Sequence, residues 1–229
     1  MKVKGIRHWA AYFLLAAVVG LAGFNSSSLV SALGLGDVAF RNEFLNARKH
    51  ADAVKLAGLA QEYLDEGPIS SAFESLEKAL VLAPDEPAIH QSLGEALFAC
   101  RRDAMAYYGL SEEQIFDSAF KHLEKAMELD PENFDLAKEI ANSHFVLKPI
   151  RYEAARDAWF RAAALSYTEL EIQEVYLNLA RLETMVGHMD LARAHIAKVT
   201  DPGYSEARGI LQRQFVRKSD PAVHGLRYE

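Results

Sequence analysis

A chain of 229 residues has room for one medium-sized domain with an anchor or tail, and with half its residues hydrophobic and a quarter charged it is not globally disordered. Its formal net charge is −7, from 25 Lys and Arg against 32 Asp and Glu, and three of the bases stand in an acid-free start, so the remainder has no electrostatic footprint for nucleic acid. Cys100 is the single cysteine, which excludes an intramolecular disulfide and a thiolate metal cage; it reads as a small buried hydrophobe.

Lys2, Lys4 and Arg7 precede the uncharged residues 9–24; Asn25 and three serines follow, then a second mild apolar stretch at 29–36. A basic flank before an apolar run is the layout of a secretory signal or a signal-anchor. As a helix, residues 9–24 would reach about 24 Å, short of a hydrocarbon core of ~30 Å, whereas residues 9–36 would reach about 42 Å. Residues 1–36 are therefore expected to be a transmembrane helix or a signal peptide, with Gly20 and Ala22 leaving cleavage after Ala22 open. The basic flank stays inside, which places the rest of the chain outside the cytoplasm. It is then a single-pass membrane protein if the segment is kept, and secreted, or periplasmic in a bacterium, if it is removed.

Asp37 can cap a leading helix over 37–52, whose Phe40, Phe44 and Leu45 are expected to pack on the unit over 53–86 or on the membrane. That unit is built of two helices. Leu56, Leu59, Ala60 and Tyr63 share a helix face, Gly67 and Pro68 break that helix, Ala72, Leu76 and Ala79 share a second face, and Pro84 ends it. Residues 87–133 repeat the pattern with Leu93, Gly94 and Leu97, then Ala119, Leu123, Ala126 and Pro131, around an extra stretch at 100–112. Residues 134–172 supply Ile140 and Ala141, then Ala155, Trp159 and Ala162, across a long turn at Lys148-Pro149-Ile150. Residues 173–203 supply Tyr176, Leu179, Ala180, Gly187, Ala192, Ile196 and Val199. A last helix over 204–218 has Ile210, Leu211 and Phe215 on one side, and 219–229 is a flexible tail.

The order large, large-small, aromatic, turn glycine, small, large, small, proline resembles the tetratricopeptide repeat over residues 53–203. The resemblance implies an all-α, right-handed superhelical solenoid of about four helix pairs with a polar-faced capping helix, its small residues standing where backbones nearly touch. It also implies that the first helix of each unit lines a concave surface. Carried over, that surface holds Gln61 and Leu64, then Gln91, Glu95 and Phe98, then Lys138, Asn142 and Phe145, then Arg181. Its apolar members either anchor a bound segment or pack on neighbouring helices. Some co-chaperone relatives grip a C-terminal carboxylate, and Lys138, Asn142, Asn178 and Arg208 fall at four of the five matching positions. Gln212 holds the fifth, where a base is required, and Glu139 and Glu174 would oppose an anion. In the extra stretch, Ser111 and Gln114 resemble a capping box, the residues before them prolong the first helix, and Tyr107, Tyr108 and Leu110 either cover apolar surface or project as a knob.

The eight histidines form no pair or cluster with metal-ligand spacing. His144 reads as a packed, hydrogen-bonded core residue, and His188 and His195 as residues near a turn and an outer face. No phosphate-cradling loop or nucleophile elbow is present. The expected function is therefore non-enzymatic: a scaffold or adaptor for a protein or peptide partner in an envelope assembly or secretion complex. The alternative is a chaperone-like factor that binds unfolded or C-terminal segments of exported clients. No cofactor, metal or small-molecule substrate is expected, and self-association through Ile210 and Phe215 stays open.

Overall fold

The structure, a computed structural model, describes residues 38–219. They form ten α-helices and no strand: α1 Val38–Glu66, α2 Ile69–Leu82, α3 Pro87–Ala99, α4 Arg101–Tyr108, α5 Glu112–Leu129, α6 Phe134–Ser143, α7 Tyr152–Leu165, α8 Glu169–Val186, α9 Met189–Ile196 and α10 Ser205–Ser219. Short 3-10 turns follow α6 and precede α10. The chain divides into two compact units, Met1–Asp52 and Ala53–Glu229. In the first, Leu45 is exposed rather than packed, while the packing expected of Phe40 and Phe44 lies outside what is described.

None of the described helices is long and apolar enough to cross a membrane. This corrects the single-pass, extracytoplasmic expectation, which rested on residues 1–36; that segment lies outside the described residues.

Local chemistry sets the helix ends of the second unit. Pro68, extended at ψ 118°, precedes α2, and Pro87 opens α3, where its missing N–H has no intrahelical partner to lose. Two capping boxes start the longest helices of this unit. At α5 the Gln114 N–H donates to Ser111 Oγ at 3.3 Å while the Ser111 N–H donates to Gln114 Oε1 at 2.9 Å. Thr168 and Glu171 repeat this at α8, where the backbone donors of Thr168 and Tyr167 hold the Glu171 carboxyl below its ordinary range. Gly109 and Gly187 end α4 and α8 at φ 66° and 95°, left-handed positions that disfavour a Cβ. Ser111→Ala should lower stability by about 1 kcal/mol; a urea midpoint equal to that of the unaltered chain would show that the cap is not needed.

The extra stretch departs from expectation at Cys100. Its backbone, φ −106° and ψ 36°, stops α3, so residues 101–108 form a separate helix instead of lengthening the first. Tyr107 and Tyr108 pack on α2, their rings 5.5 and 5.6 Å from Phe73 and 4.7 Å from each other. The Tyr107 hydroxyl donates to Glu77 at 3.3 Å.

The core is three clusters in succession along the chain, each built from helices near in sequence, as expected of an array stabilised by neighbour contacts. Ala60, Ala72, Ala79, Ala119, Ala126, Ala141, Ala155, Ala162, Ala180 and Ala192 are all buried, and α3 lies on α5, α6 on α7, and α8 on α9. Trp159, Leu123 and Leu179 fill the middle cluster, each contributing about 1.5–3 kcal/mol through burial. Leu59 falls off the buried stripe and is exposed. At the far end Leu211 and Phe215 of α10 close over Ala180, Ala192, Ile196 and Val199, whereas Ile210 is exposed. His144 is buried and stacked on Phe120 at 4.4 Å, and burial pushes its pKa down to about 4, so it is neutral. The hydrogen bond expected of it is not found at Nδ1, which has no partner among the described residues.

Candidate functional site

Helices α3, α6 and α8 carry polar side chains that meet from one helix to the next. In α3 the Gln91 amide donates to Glu95 Oε1, one turn on, at 2.7 Å and to Glu139 Oε2 of α6 at 3.0 Å. The Gln91 amide thus brings the Glu95 and Glu139 carboxyls together. Burial, and then the neighbouring Glu95 carboxyl, push Glu139 up to about 8, so Glu139 keeps its proton at neutral pH. At the next joint the Lys138 ammonium stands 3.4 Å from Asp135 and 3.4 Å from Glu174 of α8. Beyond it, the Arg181 guanidinium lies 4.2 Å from the centroid of the Phe145 ring, a cation–π contact at an exposed site.

The remaining expected residues are placed differently. Asn142 is exposed on α6. Gln61 donates to Asp65 at 3.0 Å within its own helix, and Leu64 is half-buried against the first core cluster. Phe98 stacks on Phe116 at 5.5 Å and meets Phe120 edge-on at 5.0 Å, which makes it chiefly a packing residue between clusters. The residues that matched a carboxylate clamp are largely engaged. Lys138 faces two acids, the Asn178 amide donates to the Glu174 carbonyl at 3.1 Å, and Arg208 donates to the Val199 carbonyl at 2.6 Å. Glu139 is the member of this seam that the carried-over positions missed. It directly follows Lys138, and its role comes from a partner 48 residues away.

Elsewhere, the buried Glu183 takes a hydrogen bond from the Tyr152 hydroxyl, 3.0 Å from each carboxylate oxygen, and lies 2.9 Å from His188 Nδ1. The cluster ties α7 to the turn after α8. Both oxygens of its carboxylate are engaged by these contacts. Among the described residues no group of three or more His, Cys, Asp or Glu could hold a metal ion. One hollow of about 370 Å³ lies between the start of α5 and the α6–α7 loop, where Arg101 and Arg151 are paired with Glu112 and Asp117 at 2.8 and 2.7 Å. A second, of about 230 Å³, lies under α4.

No family model and no curated protein matches the chain. Among solved structures, a crystal structure of MamA is similar to it at a TM-score of 0.52 and 18% identity, over 84% of this chain and 99% of that one. A further crystal structure of MamA protein gives 0.51 and 17%, over 89% and 92%. At such identity the likeness establishes a shared all-helical fold, and function must be argued from the site.

Proposed function

We propose that the chain is a non-enzymatic, tetratricopeptide-type scaffold that holds a protein or peptide partner on the strip formed by α3, α6 and α8. In this reading, four helix pairs stack as a right-handed superhelix closed by α10. Gln91, Glu95, Lys138, Asn142, Phe145, Asn178 and Arg181 face the partner, with Gln61, Leu64 and Phe98 toward the N-terminal end. The observation that carries the reading is the seam itself: contacts from Gln91 to Glu139, from Lys138 to Glu174 and from Arg181 to Phe145 run across successive helices. A strip fixed by the core beneath it binds with little ordering cost of its own. The fold shared with MamA supports the architecture.

A photo-crosslinking residue at Asn142, compared with one at the exposed Val81 of α2, tests the proposal in cells. The expected result is one stoichiometric partner captured from Asn142 and not from Val81, with capture falling at least tenfold, or about 1.4 kcal/mol, in Arg181→Glu. Equal capture from both sites would refute the strip. Many clients in place of one would favour the chaperone-like alternative.

A further inference from the structure

The extra stretch at 100–112 does more than fill a turn: with α2, α3 and α5 it lines the open hollow of about 230 Å³. The inner wall is apolar and buried, formed by Leu93, Leu97 and Ile115. Its polar members, Glu77, Ser118 and His122, are half-buried.

The hydrogen bonds of this rim have a definite polarity. His90 Nε2 lies 2.9 Å from the Pro84 carbonyl oxygen, which can only accept, so this nitrogen carries the hydrogen. A neutral His90 then presents a lone pair at Nδ1. Its 3.0 Å contact with His122 Nδ1 therefore requires His122 to be the donor. That tautomer leaves a lone pair on His122 Nε2. Burial, and then His90, push His122 down to about 4, so near neutral pH it is an uncharged acceptor. Glu77, already accepting from Tyr107, is also an acceptor. The Ser118 hydroxyl can give or take a hydrogen, so His122 and Glu77 are the groups that call for a donor on the ligand.

Size narrows the class. An apolar cavity of about 150 Å³ admits benzene, and drug-sized sites begin near 300 Å³. The hollow under α4 falls between the two.

We propose that this hollow binds a small aromatic ring system bearing one N–H or O–H donor, of the indole or phenol class, with the ring against the half-buried Leu80, Tyr108 and Leu110 and the donor on His122 Nε2. The site is separate from the strip on α3, α6 and α8 and does not depend on it. It is a ligand site and requires no turnover. The insert supplies one side of it through Tyr108 and Leu110.

The test is to titrate the full chain with indole and with benzothiophene, which has the same shape without the N–H, following the Leu and Ile methyl signals. Indole should saturate with a Kd on the order of 0.1–1 mM, and benzothiophene should bind at least tenfold more weakly. His122→Phe retains a ring but removes the acceptor, so it should weaken indole at least tenfold and erase the preference between the probes. Ser118→Leu places a larger apolar side chain in the hollow and should abolish binding of both; thermal melts check that each variant folds. A Gly-Trp-Gly peptide distinguishes the sources of such a ring. Binding of indole alone assigns a free small molecule, binding of both admits a ring presented on a chain, and either supports the site. Absence of saturable shifts with indole and peptide, or equal affinity of the unaltered chain for indole and benzothiophene, overturns the proposal without reference to the variants. So does unchanged indole affinity in a folded His122→Phe.

Discussion

Glu139→Gln is expected to remove most of the chain's loss of stability between about pH 5 and pH 8, and to leave the variant about 1–2 kcal/mol more stable than the unaltered protein at the alkaline end. In the folded chain Glu139 keeps its proton up to about pH 8, because burial and the Glu95 carboxylate both disfavour its charge; its ordinary value is 4.5. Between these values the folded state binds a proton that the unfolded chain has released. Stability conferred by that proton is complete below about pH 4.5, declines as pH rises through the window, and is gone above about 8. Glutamine keeps the shape of the protonated acid and has no charge to acquire, so its curve should be nearly level there. The magnitude is set well below the full value of such a shift because Glu139 is only partly buried and solvent screens the pair. Urea denaturation of both chains at several pH values from 5 to 9 measures it; parallel curves would mean that Glu139 does not keep its proton in the folded chain. The same substitution leaves Gln91 an oxygen to donate to, so the seam is retained and only its titration is removed.

Backbone proximity leaves a trace in residue size, and that is why much of the helical packing can be read from the sequence. Ala60, Ala141 and Ala180 are small and are buried where helices pack. Proline and glycine at 67, 68, 84 and 87 mark ends that the structure places at the same points. Pairings across helices are harder to read. Glu139 looks like one more acid on a helix face until α3 brings Gln91 and Glu95 to it. His90 and His122 are 32 residues apart and meet only because α3 lies on α5. Phe98 occupies a spacing that suits a binding surface and a core alike, and the positions of Phe116 and Phe120 decide between them. The break at Cys100 involves neither glycine nor proline, so no residue announced that α4 would be a helix of its own. Ile210 and Leu211 are both apolar, but neighbours on a helix point about 100° apart, and one faces the core while the other faces solvent.

Gly94→Val should be among the most damaging single changes in the second unit, lowering stability by about 3 kcal/mol or more. A Cβ at this position would lie 2.7 Å from Leu123 Cγ, 2.8 Å from Leu123 Cδ2 and 3.0 Å from the Ala119 carbonyl oxygen. These are the branch point and a methyl of a fully buried leucine and the backbone of α5, with no free space to turn into, so relief requires the two helices to move apart. Alanine alone makes the balance visible. It recovers about 1 kcal/mol of helix propensity, and overpacking costs about 1–3 kcal/mol, so Gly94→Ala should be destabilising by about 1 kcal/mol. Valine adds two γ carbons in the same space and a stiff χ1 that cannot turn them away. Gly58 supplies the control, since nothing lies within 4 Å of a Cβ placed there and Gly58→Ala should stabilise by about 0.5–1 kcal/mol. In a Leu123→Ala background the Gly94→Ala penalty should largely vanish, because of the three contacts only the one with the Ala119 oxygen persists. Urea midpoints of the unaltered protein, Gly94→Val, Gly94→Ala, Gly58→Ala, Leu123→Ala and the Leu123→Ala/Gly94→Ala double read the sign at each step. If Gly94→Val unfolds at the same concentration as the unaltered protein, α3 and α5 are not in backbone proximity, and the packing logic derived from their small residues fails at its tightest point.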